Sequence, residues 1–295
     1  MARAQANGIE IEWDERGRPD DSAMLLIMGL GAQMTRWTDA FMAPLAARGF
    51  RVLRFDNRDV GLSTKLEAGG VPDLARVGMA LATGNTPDVP YSLEDMAADA
   101  VALLDAIGIG RAHIVGASMG GMIAQLVAAL YPDRVLSLTS IMSSTGNPAL
   151  PRATAEANAV LMTRPSGADT EALVAHGVRA ARVVGSPGYP TDAAILADRV
   201  RADLARQHYP PGFARQLAAI MANGDRRGRL AGITAPTLVI HGADDPLVPV
   251  EAGRDTAAAI PGARLVEIPD MGHDLPEPLI GQVTTLIADH AGNAA

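Results

Sequence analysis

Cysteine is absent from all 295 residues. That excludes a disulfide framework, a thiol nucleophile and any metal site built on thiolates. No apolar run approaches the roughly 18 residues that a membrane-crossing helix requires, and Met1 to Glu10 contains no apolar segment of the signal-peptide kind. Together these features favour a soluble cytoplasmic protein, although a cysteine-free chain suits export equally well. Basic residues are outnumbered, with 25 Lys and Arg against 33 Asp and Glu and a formal net charge of −8. Such a balance argues against a nucleic-acid surface and against an anionic membrane as partner. Aromatic residues make up only 3% of the chain, which leaves little to stack on a polycyclic ligand. No internal repeat occurs, and the only compositional bias is towards alanine.

What remains is a globular composition, 48% hydrophobic and 20% charged, long enough for one large domain or two smaller ones. Ile9, Ile11 and Trp13 alternate with Glu10, Glu12 and Asp14, the pattern of a half-buried edge strand ending at Arg16-Gly17. Ala23 to Met28 is a continuous apolar run, as in a strand covered on both faces, and Gly29-Leu30-Gly31 follows it. Thr38 to Arg48 reads as a helix stopped by Gly49, and Arg51 to Phe55 as the next strand. A polar, turn-rich loop, Asp56-Asn57-Arg58-Asp59-Val60-Gly61-Leu62-Ser63, comes next. Ser92 with Asp95 three residues on predicts a capped helix that runs to Ile107 and stops at Gly108.

His113-Ile114-Val115-Gly116-Ala117 is a β-type run that enters Gly116-Ala117-Ser118-Met119-Gly120 and leaves as the helical pattern Met122 to Leu130. A serine at such a tight strand-to-helix turn presents its hydroxyl outward, beside the free N–H groups of a helix N-terminus. Side chains at Gly116 and Gly120 would block the approach of strand and helix. A further strand spans Val135 to Met142. Alternating strands and helices imply βαβ units in a parallel sheet, with the site at the carboxyl ends of the strands. Gly29, Asp56 and Ser118 all follow strand ends and should gather on one edge.

From Ser143 to about Arg229 the alternation lapses into a helical, Ala- and Arg-rich stretch. It is broken at Pro165, at Ser186-Pro187-Gly188-Tyr189-Pro190 and at Tyr209-Pro210-Pro211-Gly212. Strands resume at Ala235 to His241 and Ala263 to Ile268, and a last helix runs from about Pro278 to His290. The expected organisation is a core of residues 1–144 and 230–295 with residues 145–229 inserted as a helical cap.

A serine hydroxyl needs a base, and the base needs a third group to orient it. Of six histidines, His113 lies inside a strand, His176 and His208 fall in the insertion, His290 sits in the final helix, and His241 precedes Gly242 in a structural setting. His273 occupies the loop Pro269-Asp270-Met271-Gly272-His273-Asp274 straight after the last strand, where a base belongs. Asp244 and Asp245 compete for the orienting role. Asp245 precedes Pro246, which restricts it to extended backbone, and it is taken as the orienter. Asp244 is left as a helper or a solvated turn residue. The chain order is then Ser118, Asp245, His273.

Gly-Ala-Ser-Met-Gly, Asp-Asn-Arg-Asp-Val-Gly-Leu-Ser, His-Gly-Ala-Asp-Asp-Pro-Leu-Val-Pro and Met-Gly-His resemble the serine α/β-hydrolase family over nearly the whole chain. Met28-Gly29, Arg58-Asp59 with Gly61 and Ser63, and Leu265 to Pro269 with Met271-Gly272-His273 are similar to its aclacinomycin methylesterase-like group. The resemblance implies an α/β-hydrolase fold, with a mostly parallel sheet flanked by helices and the cap inserted before the last two strands. It also implies Ser118 as nucleophile, His273 as base, Asp245 as orienter, and the backbone N–H groups of Leu30 and Met119 as oxyanion hole. Met28 stands where many members carry a histidine.

The expected activity is hydrolysis of a small to medium apolar carboxylic ester through an acyl-enzyme, with no metal and no organic cofactor. Epoxide hydrolysis and dehalogenation in this fold use an aspartate where this chain has Ser118. Lactone opening, C–C bond hydrolysis, acyl transfer and perhydrolysis can use the same three residues, and a slow-turnover, receptor-like ligand-binding fold is the alternative of another class. Met28, Met34, Met119, Met122, Met142 and Met271 fall near strand ends, where they either line a pliable apolar pocket or fill the core. Met28, Met142, Tyr189 and Phe213 are the candidate substrate contacts, the last two beside the breaks in the cap. The expected partner is a small-molecule ester, and a homodimer stays open.

Overall fold

The computed structural model describes residues 1–163 and 169–294. The predicted break at Pro165 lies outside the described residues. In chain order the elements are β1 (Ala2–Ala6), β2 (Ile9–Arg16), β3 (Ser22–Ile27), α1 (Asp39–Ala47), β4 (Phe50–Phe55), α2 (Leu74–Ala82), α3 (Leu93–Ala106), β5 (Ala112–Ala117) and α4 (Met119–Leu130). There follow β6 (Val135–Ile141), α5 (Ala155–Met162), α6 (Thr170–Val184), α7 (Ala193–Arg206), α8 (Pro210–Asn223), α9 (Arg227–Leu230), β7 (Thr237–Gly242), α10 (Val250–Ala259), β8 (Arg264–Ile268) and α11 (Glu277–Gly292).

The eight strands form one sheet in the order β1-β2-β4-β3-β5-β6-β7-β8. β1 pairs antiparallel with β2, and β2 antiparallel with β4. Every later pairing is parallel, from β3 with β4 through to β7 with β8. β2 is therefore not an edge. The run Ala2–Ala6 turns back on it through Asn7-Gly8, both at positive φ, a hairpin turn that the alternation of β2 alone does not reveal.

The central strands are apolar at successive positions because helices cover both faces. Leu25, Ile27 and Ile114 pack with α3 and α4 on one side. Met24, Leu26, Val115, Ala117 and Ile240 pack with α1 and α11 on the other. The helix ends follow from local chemistry. The Ser92 hydroxyl accepts from Asp95 N–H while the Asp95 carboxylate accepts from Ser92 N–H, a complete capping box. Thr38 caps α1 through Phe41 N–H. Pro210 and Pro211 occupy the first turn of α8, where a missing N–H costs nothing, so this pair begins a helix instead of breaking one.

Gly116 and Gly120 meet the closest approach in the molecule's centre. A Cβ on Gly116 would fall 2.0 Å from Gly120 O, and one on Gly120 would fall 2.0 Å from Ile27 O. Only hydrogen fits at either, which lets α4 start directly against β5 and β3. The loops after β3, β4, β5, β7 and β8 consequently open on the same edge of the sheet.

Candidate active site

Ser118 links β5 to α4 at φ 56° and ψ −122°. A non-glycine residue there is strained by roughly 1–3 kcal/mol and persists only where its surroundings hold it. They do. Ser118 N–H donates to Ile141 O at 2.9 Å, and the Ser118 carbonyl accepts from Gly121 N–H at 2.9 Å and from the Ser143 hydroxyl at 2.8 Å. The turn thus pushes the Ser118 side chain out of the sheet's edge.

His273 Nε2 lies 2.9 Å from Ser118 Oγ, and His273 Nδ1 lies 2.7 Å from Asp245 Oδ2. A carboxylate only accepts, so Nδ1 carries the proton and Nε2 is left to accept from the serine hydroxyl. The other Asp245 oxygen accepts from Leu247 N–H at 2.9 Å and Val248 N–H at 2.8 Å, which fixes the carboxylate plane. Asp245 is buried, as is His241 behind it. His241 Nε2 donates to Val248 O at 2.7 Å and so braces the same loop, while burial lowers its affinity for a proton. Asp244 points elsewhere. Its Oδ2 accepts from Asp270 N–H at 2.9 Å, and its N–H donates to Met271 O, so it ties the loop after β7 to the loop after β8.

The loop after β3 runs against Ser118. A Cβ on Gly29 would lie 3.1 Å from Ser118 Cβ. Ala32 N–H donates to Gly29 O at 3.2 Å, closing a turn whose third residue, Gly31, has φ 65°. Leu30 lies inside this turn, and Met119 opens α4 directly after Ser118.

The four candidate substrate contacts fall in two places. Met28 and Met142 are buried, and both belong to the apolar cluster beneath the edge. Tyr189 is half-buried against that same cluster. Phe213 stands over the loop after β3, its Cδ2 2.7 Å from where a Cβ on Gly31 would lie.

The remaining histidines lie in other settings. His113 is buried between the hydroxyls of Ser137, at 2.8 Å, and Ser22, at 3.2 Å. His290 Nε2 sits 3.2 Å from the carbonyls of Leu138 and Pro236 at the opposite end of the sheet. His176 belongs to α6, and His208 lies between α7 and α8. Among the described residues no group of three or more His, Cys, Asp or Glu side chains could hold a metal ion, and no helix is long and apolar enough to cross a membrane.

The polar loop after β4 does more than turn the chain. Asp56, fully buried, accepts from Met34 N–H and Leu62 N–H at 2.8 Å each, and Asn57 Nδ2 donates to Met28 O at 2.9 Å. Arg58 grips Asp99 with two bonds of 2.6 Å. Asp59 receives Arg215 of α8 through bonds of 2.7 and 2.8 Å. The signal for this loop is its run of charged and amide residues straight after a buried strand.

A second set of supports gives no sequence signal. His273 N–H donates to Val184 O at 2.7 Å, Gly272 N–H to Ser186 Oγ at 2.9 Å, and Gly188 N–H to Asp270 O at 3.2 Å. Ser186 in turn donates from both N–H and hydroxyl to Asp274 Oδ1. Burial pushes the Asp274 carboxyl above its ordinary range, with the Ser186 bonds pulling the other way. The break between α6 and α7 is therefore the wall against which the histidine loop is built.

A strained serine at a strand-to-helix turn, followed in chain order by an aspartate after β7 and a histidine after β8, is the arrangement of one fold class. Residues 22–277 match the family described as alpha/beta hydrolase fold, and the chain belongs to that family. It is 32% identical to rhodomycin D methylesterase DauP of Streptomyces sp. (strain C5), over 92% of this chain and 93% of the relative. It is 31% identical to rhodomycin D methylesterase DnrP of Streptomyces peucetius over the same shares. Among solved structures, the enol-lactonase from Burkholderia xenovorans LB400 superposes with a TM-score of 0.75 at 26% identity, covering 99% of this chain and all of the other.

Proposed function

We infer that this protein is a carboxylic ester hydrolase working through an acyl-enzyme, with Ser118 as nucleophile, His273 as general base and Asp245 as its orienter. The observation that carries the reading is the unbroken contact from Asp245 through His273 to Ser118 Oγ at a strained turn. The methylesterase relatives, which match over nine-tenths of their length, support the ester as substrate class.

In the proposed reaction Ser118 Oγ attacks the ester carbonyl carbon while its proton passes to His273 Nε2. The carbonyl electron pair moves to oxygen, and the N–H groups of Leu30 and Met119 receive the negative charge. Collapse expels the alcohol, which takes the proton from Nε2. Water then attacks the acyl carbon and gives a proton to Nε2, and collapse releases the acid as Nε2 returns that proton to Ser118 Oγ. No step calls for a metal or an organic cofactor. A lactone is a cyclic ester and follows the same steps, a second reading favoured by the enol-lactonase neighbour. We further propose residues 145–229 as a helical cap on a core of 1–144 and 230–295, a small to medium apolar ester as substrate, Met28, Met142, Tyr189 and Phe213 as its contacts, and a cytoplasmic setting.

The test is a series of p-nitrophenyl esters of increasing chain length with a few lactones, run on wild type and three variants. Ser118→Ala should lose turnover on every substrate while keeping the far-UV spectrum and melting point. Asp245→Asn should lose about 10⁴-fold in kcat, as when an imidazole is left in the wrong tautomer. Asp244→Asn keeps an oxygen for Asp270 N–H and should stay near wild type. Near wild-type kcat in Ser118→Ala on any good substrate would remove the nucleophile, and a larger loss in Asp244→Asn than in Asp245→Asn would move the orienter.

A further inference from the structure

The turn that carries Leu30 is held from outside by a residue of the insertion. Gln216, on α8 and fully buried, accepts from Gly31 N–H through Oε1 at 2.8 Å and donates from Nε2 to Arg58 O at 2.8 Å. Both ends of the amide are used, and each grips backbone. One end holds the loop after β3, the other the loop after β4, so Gln216 is a rigid spacer between two strand-end loops.

We propose that Gln216 is a positioning residue for the oxyanion hole, a role that rests on the acyl-enzyme reading above. The reasoning starts from the turn. The Gly29–Ala32 hydrogen bond closes it across the peptide that bears the Leu30 N–H, and Gly31 at φ 65° forms its far corner. Side-chain bonds then set where the turn stands: Asn57 Nδ2 on Met28 O, Gln216 Oε1 on Gly31 N–H, Asp56 Oδ1 on Met34 N–H, and Gln33 against Asp203 O, Gln207 O and Arg206. Asn57 and Asp56 hold its two flanks. Among the described residues Gln216 alone offers a side-chain bond to its corner, one residue from the Leu30 donor. Phe213, one helical turn before Gln216 on α8, packs against Gly31.

Without the Gln216 acceptor, the Gly31 N–H loses the bond that ties the corner of the turn to α8 and to Arg58 O, and the turn is free to shift. A backbone donor must lie about 2.7–3.1 Å from the developing oxyanion to be effective, so a shift of the apex removes stabilisation from the transition state while leaving ground-state contacts intact. Gln216 touches neither substrate nor reacting atoms. Its effect passes through the Leu30 N–H.

The experiment compares wild type, Gln216→Met and Gln216→Glu, each normalised to active sites titrated with a fluorophosphonate. Gln216→Met keeps length and bulk but loses the acceptor, and Gln216→Glu keeps the acceptor for Gly31 N–H. On one p-nitrophenyl ester, Gln216→Met should lose about 10- to 100-fold in kcat with KM little changed, the range for misplaced catalytic geometry. Affinity for a trifluoromethyl ketone, whose adduct with Ser118 carries an oxyanion, should fall by the same factor. Gln216→Glu should recover most of both. The inference is overturned if Gln216→Met keeps wild-type kcat, if the loss lies in KM, if ketone affinity stays unchanged, or if Gln216→Glu is as impaired as Gln216→Met. Ser118→Ala keeps the two readings apart. Should Ser118→Ala be inactive while Gln216→Met behaves as wild type, the positioning role alone falls; should Ser118→Ala turn over, the acyl-enzyme itself falls.

Discussion

At the scale of single residues, the two buried histidines His113 and His241 show that the protonation behaviour of an imidazole follows from what surrounds it. His113 is 1% exposed, wedged between two serine hydroxyls and edge-on to Phe50. A neutral ring satisfies one hydroxyl as donor and the other as acceptor. A charged ring would bring an ion into the sheet without a carboxylate. Burial pushes its pKa down from 6.5 to about 4, helped by the neighbouring His290. Because the folded value lies below the unfolded one, the unfolded chain binds this proton first. Stability from this site is complete above pH 6.5 and drains away as pH falls towards 4. At pH 5 the site should cost about 2 kcal/mol relative to pH 7.5, by the linkage relation. Urea unfolding midpoints at the two pH values, for wild type and His113→Gln, would measure it. The variant should be less pH-sensitive over this window; an equal acid loss in both would assign the effect to other groups.

At the scale of elements, the insertion between β6 and β7 carries more of the site than its sequence suggests. The end of α6 and the segment after it bond to the histidine loop at three backbone groups and one side chain: His273 N–H, Gly272 N–H, Asp270 O and Asp274 Oδ1, with Ser186 at the centre. The end of α7 is bound as well, through Asp203 O and Gln207 O to Gln33 and through Arg206 to Asp56. Ser186→Ala should therefore act on the chemistry. It leaves Gly272 N–H without an acceptor and Asp274 with one donor fewer, each a buried loss of about 1–3 kcal/mol. We expect kcat to fall roughly tenfold with KM nearly constant, since the change moves the base and not the pocket. A change in KM alone, on esters of several lengths, would show that this segment only lines the pocket.

At the scale of the whole molecule, insertion and core are joined by ion pairs that neither can satisfy alone. Arg215 and Asp59 are each about 1% exposed or less and bond twice. The Tyr209 hydroxyl and Gly70 O also accept from Arg215. Arg226 is buried near the foot of the insertion and bonds Ser144 O, Asn223 and Gln125. Its proton affinity is lowered by burial, to a pKa of about 10. Removing Arg215 strands the Asp59 carboxylate in the interior, a loss of about 3–5 kcal/mol. Arg215→Met should thus lower the melting point of the entire chain in a single transition, and the double variant Arg215→Met with Asp59→Leu should regain much of it. Two separate calorimetric transitions would instead mean that the insertion melts independently of the core.

The sequence by itself determined the parts that depend on neighbours along the chain. Buried strands are apolar wherever both faces are covered, so β3, β5, β6 and β7 were legible, as was the capping box at Ser92. The turn at Ser118 was legible because Gly116 and Gly120 admit nothing larger than hydrogen. His273 stood out because it follows a strand directly and comes third in order behind a serine and an aspartate, the place a base for that serine must occupy. Tertiary structure decided the rest. Asp244 and Asp245 differ by one position; Pro246 favoured Asp245 in the sequence, and the packing of the loops turns its carboxylate to His273 Nδ1 and that of Asp244 to Asp270 N–H. β1 escaped notice because its pairing partner, not its own pattern, makes it a strand. Gln216 and Ser186 carried no signal at all, since a buried glutamine and a loop serine look like any other until distant loops bring their unpaired N–H groups within 3 Å. Short-range sterics and burial are written in the chain's periodicity. The obligation to satisfy every buried donor is met across 86 and 185 positions of separation, where no periodicity reaches.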